Sequence, residues 1–222
     1  MTAAFDAARV AVAEASRQLA AEGLLIGTAG NVSVLVADHV AVTATGTVLS
    51  EVTPDDVTVV DRHGRVVAGE LAPTSEIDLH LGVYARHDAA AVVHTHAPAA
   101  TAVSCVLDEL PCIHYQQLLL GGAVPVAPYA TFGTPELAAT VVGALEGRSA
   151  VLMASHGAVT TGGDLAKAVE NALLLEWVCR LYLDARVLGE PRALDGEQQA
   201  AVVTAALERK YGTTQPHHEK ES

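Results

Sequence analysis

A chain of 222 residues is long enough for one substantial domain, and the lack of any linker-like run predicts a single domain over 1–213 with a disordered tail over 214–222. Its formal net charge of −13 at pH 7 repels polyanions at long range. That excludes nonspecific attraction to nucleic acid or anionic lipid and leaves room only for a small anion with a locally favourable site.

Half of the residues are hydrophobic but only 4% are aromatic, so the core is expected to consist of Ala and Val in regular layers. The N-terminal TAAFDAARVAVAEASRQLAAEG reads as an amphipathic helix closed by Gly23, and Asp6, Arg9, Glu14 and Arg17 interrupt it too often for a secretory signal. The stretch LLIGTAGNVSVLVADHVAVTATG alternates β-branched with small residues and predicts antiparallel strands. In VTVVDRHGRVVAG, His63-Gly64 between two valine-rich arms predicts a hairpin. After Pro73, the triplet Thr74-Ser75-Glu76 opens a helix IDLHLGVYARH, with Ser75 and Asp78 at capping-box spacing. Ile77, Leu81 and Tyr84 share one side of it, and Glu76 and His80 lie one turn apart on another.

The run AAAVVHTH reads as a buried strand leading into a short helix after Pro98. The uncharged stretch 89–107 approaches bilayer length, yet His94, His96, Pro98 and its many alanines favour burial in a soluble protein over a membrane. GAVPVAPYA is a strand and loop, TPELAATVVGALEG a helix with Pro135 behind Thr134, and SAVLMASHGAV a second buried strand ending in His156. Asp164 caps the long helix LAKAVENALLLEWVCRLYLDARVLG, which Gly189 and Pro191 terminate, and a last helix spans roughly 196–210. The uncharged segment 110–135 suits an interface or a core equally. Cys105, Cys112 and Cys179 form no CxxC pair, and an odd number of thiols points to a reducing cytoplasm; each also reads simply as a small buried apolar residue. Helices interleaved with mostly antiparallel strands predict an α/β fold, a three-layer α/β/α sandwich around a central, mainly antiparallel sheet.

His94 and His96 flank one threonine, and a strand's two-residue period turns both rings to one face, the geometry of a chelate. With His156 they supply three nitrogens, and three protein ligands with an open position are the usual catalytic zinc arrangement. Spacing alone leaves hydrogen-bonded structural histidines as the alternative. At the helix start, Thr74 and Ser75 suit a phosphate and Glu76 a working base; a plain helix cap with a first-turn acid fits the same residues. The turn Gly27-Thr28-Ala29-Gly30-Asn31 can present backbone N–H groups to an oxyanion. No P-loop, GxGxxG, G-x-S-x-G or HExxH occurs. His217-His218 reads as solvated chain end rather than a metal site.

Taken in order, GTAGNVSV, VTATG, EVTPDDVTVVD, PTSEIDLHLGVY, AVVHTHAPAATAVS, IHYQQLLLGGAVPVAPYATFGT and MASHGAVTTGGDLAKAVENALLLE resemble the class II aldolase and adducin family, most closely its L-fuculose-1-phosphate aldolase branch, from about Ala8 to Gly212. The resemblance implies a homotetramer with active sites between subunits, and His94, His96 and His156 as ligands of Zn2+, with Glu76 as an acid/base that also touches the metal. It implies a phosphate site from Thr28, Gly30, Asn31, Thr45, Gly46, Thr74 and Ser75. The implied reaction is reversible cleavage of a ketose 1-phosphate to dihydroxyacetone phosphate and an aldehyde through an enediolate, with Tyr115 of a neighbouring subunit as proton donor and Tyr211 closing the site. Related sugar-phosphate epimerase, dehydratase or decarboxylase chemistry and a non-catalytic adducin-like module are the alternatives. Glu76 stands where the epimerase branch carries Asp, which favours the aldolase. Thr74 replaces a common Ser, and Leu35 stands where many relatives carry Arg, a departure that bears on ligand recognition.

Overall fold

The computed structural model describes residues 2–214; apart from Thr214, the expected tail with His217-His218 lies outside the described residues. The strands are β1 Asn31–Val36, β2 His39–Thr43, β3 Val57–Asp61, β4 Val66–Ala68, β5 Ala91–Thr95, β6 Glu109–Leu110, β7 Val124–Ala127, β8 Ala150–Met153 and β9 Gly157–Gly162. They form one sheet in the order β4-β3-β2-β1-β5-β9-β8-β7-β6. Among the described residues only β7 and β8 run parallel; every other neighbouring pair is antiparallel. The helices are α1 Thr2–Ala21, α2 Ile77–Arg86, α3 Pro98–Ser104, α4 Pro135–Ala144, α5 Leu165–Leu188 and α6 Gly196–Glu208.

Alternation along β5 builds both cores at once. Val93 joins Val12 and Leu19 of α1, Val103 of α3 and Leu175 and Val178 of α5 on one face. Val92 joins Leu79 and Val83 of α2 and Leu137 and Val141 of α4 on the other. The expected α/β/α sandwich is thus the observed fold. Both valines are fully buried, and each such side chain contributes roughly 1.5–3 kcal/mol. Small residues suit this arrangement, because a sheet covered on both faces has no solvated side to carry polar groups.

Local signals act largely as the sequence reads. The β3–β4 hairpin turns at His63-Gly64, where the Asp61 carboxylate accepts the N–H groups of His63 at 2.8 Å and Arg65 at 3.0 Å. Thr134 accepts the Leu137 N–H of α4, and Asp164 accepts that of Lys167 in α5. Two expectations need correction. Ser75 and Asp78 form no capping box: α2 starts one residue later, with Glu76 at its N-cap and no side-chain cap bond. His156 does not end a strand but lies in the turn between β8 and β9. Tyr84 packs in the same core as Ile77 and Leu81, as the helix period predicts, while its hydroxyl turns toward Ser33. The stretch Tyr115–Leu120 forms a 3-10 helix that periodicity does not announce. No helix among the described residues is long and apolar enough to cross a membrane, and the three cysteines are free thiols.

Candidate active site

The start of β1, the end of β5 and the start of β9 meet at one end of the sheet's central strands because these neighbours are antiparallel. Asn31 faces His94 directly across the β1–β5 pair. His94 is the fourth residue of β5, and His96 follows one residue after its end. His156 stands beside them in the hairpin turn, directly after Ser155, whose φ of 54° is left-handed. A non-glycine residue in that region carries strain that the surrounding structure must hold.

Two glycines allow this crowding. Gly30, at φ +92°, has the Leu25 side chain 2.5 Å and the His94 carbonyl oxygen 2.8 Å from where a Cβ would sit. A Cβ on Gly157 would run into the Thr95 carbonyl oxygen and lie 3.4 Å from the His94 ring. Any side chain at either place would push β1 or β9 off β5.

The nearest ring nitrogens of His94, His96 and His156 lie within 4.8 Å of one another. His94 Nδ1 sits 3.0 Å from the Ala158 carbonyl oxygen, which can only accept. The ring is therefore held with Nε2 turned to the cluster, the usual way a backbone carbonyl orients a metal-binding imidazole. His94 and His96 Nε2 atoms approach to 3.0 Å. Burial, followed by the charges of His94 and His156, pushes His96 down to about 4, and burial and His94 push His156 below its ordinary value. Imidazole binds a metal through an unprotonated ring nitrogen, and three ring nitrogens converging on one point fit a divalent ion of the zinc type.

Glu76 completes the group. Its Oε2 lies 3.2 Å from His94 Nε2 and accepts Asn31 Nδ2–H at 2.9 Å. Oε1 lies 3.6 Å from His156 Nε2 and is buried without a hydrogen-bond partner. Burial pushes the Glu76 carboxyl up, but the hydrogen bond and charge of His94, the Asn31 amide and His156 outweigh it and hold it below the ordinary carboxylate range. A buried carboxylate with one anchored and one unpartnered oxygen beside three imidazoles can bind a cation or exchange a proton.

A cavity of about 470 Å³ opens beside this group. Thr28, Gly30, Asn31, Thr45, Gly46, Thr74, Ser75, Glu76, His96 and His156 all line it, and His94 is buried behind them. Among the described residues its wall carries hydroxyls and small residues and no Lys or Arg. Asn31 lines the cavity while its carboxamide is engaged by Glu76 and by His80, which leaves one N–H for a ligand. Leu35 is not among the described residues that line the cavity and packs against the core formed with α2 and α4. Tyr129 and Phe132, each 67% exposed, and Ser155 also line the cavity. Sequence reading missed them: the loop APYATFGT has no period to show which aromatics point inward.

Tyr115 and Tyr211 line a different groove, of about 580 Å³, with Leu118, Leu119, Val203 and Leu207. Their hydroxyls lie 3.2 Å apart, and the Tyr211 hydrogen bond and charge raise the Tyr115 phenol above its ordinary value. Within one chain neither reaches the cavity of Glu76.

The model of the class II aldolase and adducin N-terminal domain matches residues 10–183. Among curated proteins, the chain is 36% identical to a 5-methylthioribulose-1-phosphate/5-deoxyribulose-1-phosphate aldolase of Rhodospirillum rubrum, over 89% of this chain and 90% of the relative. It is 40% identical to the L-fuculose phosphate aldolase of Escherichia coli, over 82% and 85%. Among solved structures, an L-fuculose 1-phosphate aldolase superposes with a TM-score of 0.85 at 35% identity, covering 92% of this chain and 96% of that one.

Proposed function

The chain belongs to the class II aldolase and adducin family and is a lyase, and we propose that it is a zinc-dependent aldolase that reversibly cleaves a ketose 1-phosphate into dihydroxyacetone phosphate and an aldehyde. The observation that carries this reading is the buried Glu76 carboxylate held against three converging imidazoles at the edge of a hydroxyl-lined cavity. His94, His96 and His156 would hold the ion. When bound, a divalent cation supplies Lewis-acid polarisation of the substrate carbonyl and stabilises negative charge on its oxygen.

Glu76 Oε1, which has no hydrogen-bond partner among the described residues, takes the proton from the carbon beside that carbonyl in the condensation direction and returns it to the same carbon after cleavage. Asn31 holds Oε2 meanwhile. The hydroxyls of Thr28, Thr45, Thr74 and Ser75, with the N-terminus of α2 behind the last two, suit a phosphate. They bind it without a cation, which keeps the anion's position set by hydrogen bonds. Tyr129 and Phe132 offer apolar surface at the rim for the aldehyde half.

Tyr115 and Tyr211 lie outside the cavity of their own chain. We assign them to the cavity of a neighbouring subunit in a homotetramer, where a phenol donates a proton to the aldehyde oxygen. The exposed apolar side chains of their groove, Leu119 at 50% and Leu207 at 76%, support a covered face there. A cytoplasmic place accords with the three free thiols.

The test is release of dihydroxyacetone phosphate, read by a coupled assay, from L-fuculose 1-phosphate, 5-deoxyribulose 1-phosphate and 5-methylthioribulose 1-phosphate, with ribulose 5-phosphate epimerisation run alongside. Cleavage of at least one ketose 1-phosphate, faster than any epimerisation, is expected. No cleavage of any member sinks the aldolase.

A further inference from the structure

Behind the cavity wall, the Asn31 carboxamide continues into a buried row of polar groups for which the reaction above has no use. Asn31 Oδ1 lies 2.5 Å from His80 Nε2, His80 Nδ1 lies 2.6 Å from Ser33 Oγ, and Ser33 Oγ lies 2.7 Å from the Tyr84 hydroxyl. Two periodicities create the row. Glu76, His80 and Tyr84 recur every four residues along one face of α2, while Asn31 and Ser33 recur every two along β1. The helix and the strand therefore interlock side chain by side chain. Ser33 and His80 are completely buried, and Asn31, Glu76 and Tyr84 are 4%, 7% and 8% exposed.

The direction of every bond follows from its first member. A carboxylate only accepts, so the Asn31 NH2 must face Glu76 and its oxygen must face His80. His80 Nε2 is then a donor. A neutral ring has one N–H, so Nδ1 accepts from Ser33 Oγ–H, and Ser33 Oγ in turn accepts from Tyr84 O–H. Aliphatic side chains would fill the same seam without the cost of burying five polar groups. They would not, however, choose which end of the Asn31 carboxamide meets Glu76.

We propose that His80 is a positioning residue: as its Nε2–H tautomer, set by Ser33 and Tyr84, it fixes Asn31 with the NH2 toward Glu76, so that Oε2 is anchored and Oε1 alone is presented to the reacting carbon. This rests on Glu76 as the base. Without the His80 donor, the carboxamide is free to turn its oxygen toward the carboxylate, which repels it, and the carboxylate loses its fixed orientation. The effect falls on the proton-transfer step rather than on substrate binding.

The experiment uses the zinc-loaded enzyme and its His80→Gln and His80→Phe variants. Exchange of the carbon-bound proton of dihydroxyacetone phosphate with solvent, without aldehyde, reads the Glu76 step by itself. His80→Phe keeps the ring and removes both nitrogens; its exchange and cleavage kcat are expected to fall roughly 10- to 100-fold with KM within about threefold. Zinc content should stay unchanged. His80→Gln places an N–H near the Nε2 position and should recover most of the loss. Equal kcat in all three proteins, or a change confined to KM, overturns the proposal. Should His80→Phe not fold, long-range 1H–15N correlation spectra of the histidine-labelled wild type decide instead. The Nε2–H tautomer of His80 supports the proposal, and the Nδ1–H form or an imidazolium near neutral pH overturns it. If the wild type exchanges and cleaves nothing, the aldolase reading falls, while the tautomer measurement still decides the arrangement itself.

Discussion

At Glu76 the two carboxylate oxygens have different surroundings: Oε2 is tied by Asn31, and Oε1 faces His156 at 3.6 Å without a hydrogen-bond partner among the described residues. Glu76→Gln preserves size and keeps an oxygen for Asn31 but removes the charge and the basic lone pair. Its kcat for cleavage should fall by about 10²–10⁴-fold while roughly one zinc per chain remains. Metal analysis alongside steady-state kinetics checks this, and a variant of near wild-type rate would remove Glu76 from the base's role. His96→Ala, by contrast, should lose the zinc itself, since two imidazoles leave the ion one ligand short. At His80 the consequence is on stability. Burial, and secondarily His94, depress this imidazole to about 3 from its ordinary 6.5, against an opposing pull from Glu76. Below pH 6.5 the unfolded chain binds a proton that the folded one refuses, so stability is complete above 6.5 and is lost as pH falls toward 3. The contribution steepens the fall by up to about 1.4 kcal/mol per pH unit. Urea unfolding of wild type and His80→Gln between pH 7 and 4 should give a shallower slope for the variant; parallel slopes would mean that His80 protonates alike in both states.

Among the elements, α3 is short and follows His96 by one residue, and its start is held from outside. The Glu176 carboxylate of α5 accepts the N–H groups of Ala99 at 2.9 Å and Ala100 at 2.8 Å, donors that α3 leaves without an intrahelical partner. Glu176→Ala would strand both in the core at a cost of about 2–4 kcal/mol, which for a chain of this size lowers Tm by roughly 4–16 °C. Because the same cap fixes the chain just after His96, zinc affinity by chelator competition should weaken as well; unchanged affinity with lowered Tm would confine Glu176 to stability. The elements differ in how far the sequence displays them. The pair His94 and His96 was legible because a strand's period is two, and α4 and α5 because Thr134 and Asp164 are strong caps. The β8–β9 turn was hidden, since AVLMASHGAV has no Asn-Gly or Gly-Gly signal and the left-handed position falls on Ser155. The start of α2 was shifted because Thr74 Oγ1 accepts the Glu76 N–H at 3.3 Å, in place of a cap by Ser75. The row from Glu76 to Tyr84 was half visible: Glu76 and His80 show as one turn apart, but their partners Asn31 and Ser33 come from a strand more than forty residues earlier, a pairing that only the folded sheet defines.

For the whole molecule, the distribution of surface matters more than its amount. A chain of net charge −13 binds a phosphorylated substrate only where the local field is neutral or better, and the cavity wall meets this with hydroxyls and the α2 N-terminus. The same chain presents Tyr115, Leu119, Leu207 and Tyr211 to solvent around an apolar groove, surface that a monomer has no reason to keep uncovered. If that face carries Tyr115 of one chain to the Glu76 cavity of the next, each site needs Glu76 from one subunit and Tyr115 from another. Two inactive variants, Glu76→Gln and Tyr115→Phe, should then rescue one another. In a ring assembled at random from equal amounts, a site is complete when the chain with intact Glu76 meets a neighbour with intact Tyr115, roughly one site in four. Co-refolded mixtures should therefore regain about a quarter of the wild-type rate of dihydroxyacetone phosphate release, with a fourfold chain mass by light scattering. A mixture no more active than its two components, though mixed tetramers are demonstrated by mass spectrometry, would place both residues in one chain's chemistry or take Tyr115 out of it. Glu76→Gln paired with His96→Ala gives the control: both lesions fall in the cavity of a single chain, so no subunit arrangement completes a site.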